Sequence, residues 1–432
     1  MNGQDLAWGR LPAPAARMQS LYDRDAALPA GEPSLLAWGM GRSYGDVSRN
    51  DGGLLLATRG LDRFIAFDAE RGELHCEAGV LLQEILEFAL PRGWFLPVTP
   101  GTALATVGGA IANDVHGKNH HRAGSFGLHV LELDLLRSDR GRQRCSADEN
   151  AGLFGATIGG LGLTGLIVSA RLQLRRVAGP WLRGDSRRFG DLAEFFALAQ
   201  DANDRSEYAA AWIDCLASGA RLGRGVLLRA DHADDREPAP APRRASVPLT
   251  PPFALINRWS LAAFNAAYYR RPAAQQTAAR WSWRAFLYPL DGIGRWNRIY
   301  GPRGFYQYQC VLPPQTAQDA LGEQLRAIAG SGQGSFLSVL KLFGAQRSPG
   351  WLSFPRPGAT LALDFPNRGD DTLRLLDRLD AITLAAGGAV YPAKDARMSA
   401  RMFRHSFPRW QDFAAQIDPQ FSSSFWRRVQ DA

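Results

Sequence analysis

Lysine is rare in this chain, and its three lysines are therefore candidate functional residues. Of the 50 basic residues only Lys118, Lys341 and Lys394 are lysine, and the other 47 are arginine. A bias in base composition exchanges lysine for arginine wherever a generic positive charge suffices, but it spares positions that need a compact ammonium with an adjustable pKa. The alternative for any single lysine is chance survival on the surface.

Histidines surround the first of these lysines, in the segment Asp114–His121. A metal site is the obvious hypothesis, but adjacent His120 and His121 would point apart and no carboxylate stands at ligand spacing. The Lys118 ammonium would also repel a cation, so we predict no metal. A neutral imidazole can accept or relay a proton near physiological pH, which makes His116 a candidate for proton transfer.

Three glycine-rich segments precede or follow this cluster, at residues 39–46, 97–113 and 160–165. Glycines let the main chain approach a flat ligand and turn its N–H groups toward an anion. The third segment fits G-x-G-x-x-G, but that dinucleotide fingerprint requires a following helix, and here the following residues alternate as in a strand. We therefore predict a large phosphate-bearing cofactor rather than a nicotinamide Rossmann site.

Hydrophobic periodicity predicts an α+β arrangement that positions these segments. Strand-like runs occur at residues 54–58, 73–77, 131–135 and 168–174. Apolar residues at helical spacing predict a helix through residues 82–89, which Pro91 and Gly93 end. Strands and helices in this order favour a mixed layer over an all-helical bundle.

Two segments farther along have unusual compositions. Residues 231–244 are rich in proline and charge, which predicts a mobile loop. Residues 253–271 are aromatic, helical in pattern and end in arginines. We interpret this second segment as a core helix, with an amphipathic lid against a membrane as the alternative.

Composition excludes several classes of protein. A chain of 432 residues with 46% apolar residues is long enough for two or three domains. Its four cysteines stand far apart, so neither a disulfide framework nor a zinc site is expected. The net charge of +8 is scattered rather than clustered, so we expect no nucleic-acid partner. No apolar run predicts a spanning helix or a signal peptide, so we expect a soluble, cytoplasmic protein.

The motifs together resemble a known family: the flavoprotein oxidase subunits of decaprenylphosphoryl-β-D-ribose 2′-epimerases, among the vanillyl-alcohol-oxidase, or PCMH-type, FAD enzymes. The resemblance extends nearly from end to end, and all three lysines fall within it. The matching segments are residues 41–46, 99–102, 107–112, 116–121, 123–127, 159–165, 288–291, 300–305, 307–309, 339–344 and 391–397.

The resemblance implies an α+β fold with two domains. A PCMH-type FAD-binding domain would comprise residues 1–178, rejoined by residues 389–432. An antiparallel-sheet substrate domain would comprise residues 179–388 and carry a mobile loop at 231–252. The active site would lie between the two domains.

The resemblance also implies roles for individual residues. Lys394 and His116 would be catalytic, and either could be the base. The cofactor would be held by Gly41, Arg42, Ser43, Tyr44, Gly45, Asp46, Thr102, Gly108, Gly109, Asn113, His116, Gly117, Gly162, Gly165 and Ile167. The substrate would contact Lys118, Tyr288, Gln307, Gln309, Lys341 and Lys394.

Tyr44 stands where many members of the wider group attach FAD to a histidine, so FAD is expected to bind non-covalently.

The implied reaction is oxidation of the 2′-hydroxyl of a polyprenyl-phosphoryl ribose. A partner short-chain reductase would complete the epimerisation, and the protein would make peripheral contact with a membrane. The rivals are an oxidase of a soluble sugar, alditol or aldonolactone, and a flavin-fold binding protein without turnover. Thr360, Ala362 and Asn113 depart from the family pattern, and Ala362 removes a thiol from the pocket wall.

Overall fold

The computed structural model describes residues 3–240 and 245–430. The strands of the first part are β1 Arg17–Ser20, β2 Leu35–Trp38, β3 Leu54–Ala57, β4 Phe64–Asp68, β5 Glu73–Glu77, β6 Trp94–Phe95, β7 Val130–Arg137, β8 Gly141–Ser146, β9 Leu166–Gln173 and β10 Arg175–Arg176. The later strands are β11 Trp181–Phe189, β12 Tyr208–Ile213, β13 Gly225–His232, β14 Ala245–Ser246, β15 Gln276–Ser282, β16 Ile293–Gly294, β17 Phe305–Leu312, β18 Val339–Phe343, β19 Gly358–Pro366 and β20 Ala389–Val390.

Helices alternate with these strands. They are α1 Leu82–Ala89, α2 Val107–Ala112, α3 His120–Ala123, α4 Ala151–Thr157, α5 Leu192–Arg205, α6 Arg258–Arg270, α7 Trp283–Leu287, α8 Ala317–Ser331, α9 Asp370–Ala385, α10 Ala400–Ser406, α11 Trp410–Ala414 and α12 Ser424–Gln430. The mixture of helices with largely antiparallel sheets makes this an α+β fold, as the sequence predicts.

A five-stranded antiparallel sheet, in the order β4-β5-β9-β7-β8, forms one layer of the first part. Its central strand β9 follows the third glycine-rich segment, which confirms the prediction of a strand there instead of a helix. Helix α1 buries the predicted apolar face, and Gly93 adopts a left-handed φ of 79° just beyond the turn that ends it. A smaller parallel sheet, β1-β3-β2, lies alongside.

An eight-stranded antiparallel sheet, in the order β15-β11-β13-β12-β18-β19-β17-β20, forms the second layer. Its last strand, β20, pairs Val390 with Cys310 of β17. The segment from residue 389 thus begins inside this sheet, although we predict that it belongs with the first part. Farther on it does return to the first part, where Leu35 forms an isolated parallel bridge with Phe421.

The segment at residues 231–252 contains the end of β13 and the two residues of β14. Asp231 and His232 are the last residues of β13, so the connecting loop begins after them. Asp235 in that loop forms an ion pair with Arg280 at 2.9 Å. Residues 241–244, which belong to the predicted mobile loop, lie outside the described residues.

Helix α6 corrects our interpretation of residues 253–271 as a core helix. Only Leu261 and Asn265 of this helix are buried, whereas Trp259 is 81% exposed. An Asn257 side chain caps its first turn by accepting from Trp259 N and Ser260 N. The segment is a surface helix because its apolar residues lack one continuous buried stripe.

Within residues 3–240 and 245–430, no helix is long and apolar enough to cross a membrane. The same residues contain no cluster of metal-ligating side chains. All four cysteines are buried with free thiols.

Candidate active site

A cavity of about 630 Å³ lies between the glycine-rich segments and the eight-stranded sheet. It gathers most of the residues that the sequence singles out, and all three lysines face it. The predicted residues that line it are Gly41, Arg42, Ser43, Tyr44, Thr102, Gly108, Gly109, Asn113, His116, Gly117, Lys118, Gly162, Gly165, Ile167, Gln307, Gln309, Lys341 and Lys394.

Two predicted cofactor residues, Gly45 and Asp46, do not line the cavity. A Cβ on Gly45 would come within 1.9 Å of the Asp395 carbonyl oxygen, so this glycine permits close packing of two backbones. Asp46 instead forms an ion pair with Arg428 at 2.8 Å. Both residues fix the first glycine-rich segment against the C-terminal segment.

Tyr288, which we predict to contact the substrate, does not line the cavity either. Its side chain is buried, its hydroxyl is hydrogen-bonded to Thr99 Oγ1, and its ring meets Trp283 edge to face. It therefore supports the second glycine-rich segment and has no surface on the cavity. Asp291, three residues farther on and not among the predicted site residues, lines the cavity and accepts from Ala103 N at 2.8 Å.

Backbone forms one wall of the cavity. Thr106 caps α2 by accepting from Gly109 N, which brings Gly108 and Gly109 to the surface of the cavity. A Cβ on Gly117 would lie 2.7 Å from the Thr99 carbonyl oxygen, so the chain passes too closely for any side chain. Asn113 also lines the cavity, and its buried Oδ1 has no hydrogen-bond partner among the described residues. A flat, hydrogen-bonding group such as FAD fits this wall, and these residues would hold it.

His116 lies between the glycine-rich segments and the eight-stranded sheet, and it lines the cavity. Gln309 Nε2 lies 2.9 Å from His116 Nε2 and 3.1 Å from Thr360 Oγ1. His116 Nδ1 is buried and has no partner within residues 3–240 and 245–430. Desolvation, followed by the charge of Lys341, holds the pKa of His116 well below its ordinary value. The imidazole is therefore neutral, and one of its nitrogens is available to a ligand.

Lys394 joins the site from a segment distant in sequence from the glycine-rich segments. Its ammonium lies 4.0 Å from the centre of the Tyr44 ring, and Tyr44 N donates to the neighbouring Ala393 carbonyl at 2.9 Å. Burial lowers the pKa of Lys394, while the charge of Asp364 opposes that shift. Lys394 forms no salt bridge with its neighbour Asp395, whose carboxylate accepts from Met398 N and Arg428.

The other two lysines face the cavity without a carboxylate partner in the described part of the chain. Lys118 donates to the Phe286 carbonyl, and Lys341 donates to the Gly117 carbonyl at 3.1 Å. Burial lowers the pKa of Lys118 to about 8. Burial, helped by the charge of Lys118, lowers the pKa of Lys341 to about 7. An anion entering the cavity would favour the charged form of both.

Sequence reasoning missed several residues of this site. Asp364 on β19 is fully buried and accepts from Gln307 Nε2 at 2.6 Å. Tyr391 lines the cavity and donates to the Asn113 carbonyl at 2.7 Å. Trp38 and Trp212 also line it. Asp364 lies two residues beyond Ala362, in a segment considered only for its departures, and its neighbours come from distant strands.

Comparison with known proteins agrees with this geometry. A model of the FAD binding domain matches residues 30–146. The chain is 35% identical to decaprenylphosphoryl-beta-D-ribose oxidase of Mycolicibacterium smegmatis, over 98% of this chain and 97% of that protein. It is 38% identical to an uncharacterized protein in the mprA 5′ region of Streptomyces coelicolor, over 81% of this chain and all of that protein.

A more distant likeness covers less of the chain. L-gulonolactone oxidase of Mus musculus is 30% identical over 31% of this chain and 30% of its own length. The full-length likeness, the FAD binding domain and the cavity lined by both sheets and glycine loops lead to one assignment. The chain belongs to the decaprenylphosphoryl-β-D-ribose oxidase family of FAD-dependent oxidoreductases.

Proposed function

We propose that the chain oxidises the 2′-hydroxyl of a polyprenyl-phosphoryl-β-D-ribose to the 2′-keto sugar. The observation that carries this proposal is the meeting of Lys394, His116 and Gln307 in one cavity, in a chain whose full-length relative is named for such a substrate. When bound, FAD supplies the acceptor for the hydride that leaves C2′. The hydroxyl loses its proton to the protein, and the C=O bond forms.

Lys394 is the group that takes this proton. The Gln309 amide donates to His116 Nε2, which places the imidazole proton on Nδ1. His116 then offers an N–H donor to a ligand, and its acceptor nitrogen is already used. The Lys394 amine, with its pKa lowered by burial, is a base within reach of neutral pH.

The charge of the cavity favours a phosphate-bearing substrate over a neutral sugar, alditol or aldonolactone. Lys118 and Lys341 present two cationic groups that have no carboxylate partner in the described part of the chain. An unpaired buried charge is costly, and an anionic ligand compensates it. A neutral substrate would leave both groups uncompensated.

A surface beside the cavity supports contact with a membrane. Six large apolar side chains are exposed there, a group that we call the docking surface: Leu249, Phe253, Leu255, Trp259, Phe264 and Ile293. Residues 245–290 contain no Asp or Glu, and α6 ends in Arg270 next to Arg271. Tyr268 and Ile293 also line the cavity. A lipid-linked sugar whose tail stays in an anionic bilayer could therefore reach the site from this surface.

Anaerobic titration of the holoenzyme tests the proposed reaction. We expect prenyl-phosphoryl ribose to bleach the flavin absorbance, and methyl ribofuranoside and alditols to do so far less well. Faster bleaching by an alditol would favour a soluble substrate. No bleaching by any of these sugars would favour a binding protein without turnover.

Vesicle co-sedimentation tests the docking surface. The double variant Phe253→Ser, Trp259→Ser should lose affinity for anionic vesicles, and added salt should weaken binding of the parent. Tyr22, 69% exposed in the first part, is a matched control, because Tyr22→Ser removes a similar exposed aromatic outside this surface. Equal loss in the control, or no loss in the double variant, would contradict the proposal.

A keto sugar must be reduced from the opposite face to give the arabinose epimer, and we propose a separate short-chain reductase as the partner. Adding such a reductase and its nicotinamide donor to the oxidation mixture should yield the arabinose product. Recovery of ribose alone would contradict this step.

A further inference from the structure

Asp364 is a buried carboxyl group behind the wall of the cavity. It lies opposite Gln307 in the register of β19 and β17. Its Oδ1 accepts from Gln307 Nε2 at 2.6 Å, and its Oδ2 accepts from the Tyr300 hydroxyl at 3.4 Å. No arginine or lysine contacts it within the residues that the structure describes. Burial of an unpaired carboxylate is costly, so its presence here calls for a compensating charge nearby.

The first consequence concerns the orientation of Gln307. A carboxylate only accepts hydrogen bonds, so it holds the amide nitrogen of Gln307 toward itself. The amide oxygen is thereby directed away from Asp364. That oxygen, Oε1, is buried and has no partner among the described residues, although Gln307 lines the cavity. It is suited to accept a hydrogen bond from a sugar hydroxyl.

The second consequence concerns Lys394. Burial raises the pKa of Asp364 and lowers that of Lys394, and the attraction between the two opposes both shifts. Tyr44 lies near both groups: its ring centre is 4.0 Å from the Lys394 ammonium, and burial, followed by the charge of Asp364, raises the pKa of its hydroxyl. The titratable groups that face Asp364 are Tyr300, Tyr44 and Lys394, so the lysine is the one cation among them.

We propose that Asp364 is a positioning residue for the oxidation: it orients the Gln307 amide oxygen toward the substrate, and its charge stabilises the ammonium formed when Lys394 takes the hydroxyl proton. This rests on the proposed function. The O–H proton passes to the Lys394 amine, and FAD, when bound, would supply the acceptor for the C–H hydride. Asp364 neither gains nor loses a proton in the step.

Lysine NMR of the holoenzyme provides a readout independent of turnover. The chain has only three lysines, so selective ¹³Cε labelling gives three signals that single substitutions assign. In Asp364→Asn we expect the titration midpoint of Lys394 to move to lower pH by roughly one unit, because an opposite charge is lost. An unchanged midpoint would overturn the proposal.

Asp380→Asn is the matched control. Asp380 on α9 is also largely buried, but it forms an ion pair with Arg397 at 2.9 Å and does not line the cavity. Its substitution should lower stability without moving the Lys394 midpoint. An equal shift in both variants would mean that the Asp364 effect is general and structural, which would also overturn the proposal.

Kinetics separate the two parts of the role. The alkaline rise in the rate of flavin reduction should move to lower pH in Asp364→Asn, and apparent substrate affinity should fall about tenfold as Gln307 loses its fixed orientation. If prenyl-phosphoryl ribose fails to reduce the parent enzyme, the proposed function fails, and the NMR result still decides the link between Asp364 and Lys394.

Tyr300→Phe covers the case in which Asp364→Asn does not fold. It keeps the ring but removes one hydrogen bond to the carboxylate, which disfavours the charged form of Asp364. The Lys394 midpoint should then move in the same direction by a smaller amount. No movement in this variant would count against the proposal.

Discussion

The two walls of the cavity differ in the part of the chain that they expose to a ligand. The glycine-loop wall is lined by residues from 39–44, 99–117 and 161–167, and it presents glycine backbone together with side chains such as Tyr44, Asn113 and His116. The sheet wall, from β12, β13, β17, β18 and β19, presents Gln307, Gln309, Lys341 and Thr360. The first wall can hold a cofactor wherever the main chain is free of side chains. The second can select a substrate by charge and hydrogen bonding, and it changes character with a single substitution.

Lys394 lies at the junction of the two walls, and its replacement should give the largest effect. Lys394→Arg keeps the positive charge but cannot release a proton near neutral pH. Flavin reduction by substrate should fall by two or more orders of magnitude, while FAD content stays at the parent level. Stopped-flow absorbance on matched holoenzyme samples measures both. Reduction at the parent rate would remove Lys394 from the reaction.

Gly117→Ala should break the glycine-loop wall instead. The new Cβ would lie 2.7 Å from the Thr99 carbonyl oxygen, so the loop must shift. We expect FAD affinity to fall about tenfold or more, with any residual holoenzyme turning over normally. Gly330→Ala in α8 serves as a control for loss of a glycine, because nothing lies within 4 Å of its added Cβ and its backbone is not left-handed. Equal FAD retention in the two variants would contradict the difference between the walls.

Lys341→Met removes a titratable charge from the sheet wall and tests how much that charge affects stability and substrate binding. The pKa of Lys341 is about 7 in the folded chain and about 10.5 when unfolded, so the unfolded chain binds more protons between these values. Stability of the parent should therefore rise with pH through that window, and the rise should be smaller in Lys341→Met. Thermal unfolding from pH 6.5 to 10 measures the slopes. The variant should also bind the phosphate-bearing substrate several-fold less tightly.

The last prediction concerns the unmodified protein: acid precipitation should separate FAD from the chain. With Tyr44 in place of a histidine, no covalent bond to FAD should form, so precipitation should release all the flavin into the supernatant. Absorbance of the pellet and the supernatant measures this. Flavin that remains in the pellet would contradict non-covalent binding.

The difference between the two walls also explains which parts of the structure the sequence could predict. Glycine spacing and alternation are local, so the strand after Gly165, the helix at 82–89 and most of the glycine-loop wall follow from neighbouring residues. Gly45 and Tyr288 lie within the matching segments but support the wall from behind, and local pattern cannot distinguish support from lining. Asp364 and Tyr391 act through contacts that only the folded sheet creates. The rarity of lysine identified three cavity residues because composition singles them out wherever they lie.

Asp46 and Arg428 form their ion pair across 382 positions of sequence. A ribosome releases the first glycine-rich segment long before it translates the residues that secure that segment. The nascent polypeptide therefore emerges with a partly formed site and acquires Lys394 much later than the first glycine-rich segment. Contacts of such high sequence separation form slowly, which exposes the waiting segment to chaperones and proteases. A shortened translation product that stops before Lys394 would be catalytically silent rather than weakly active.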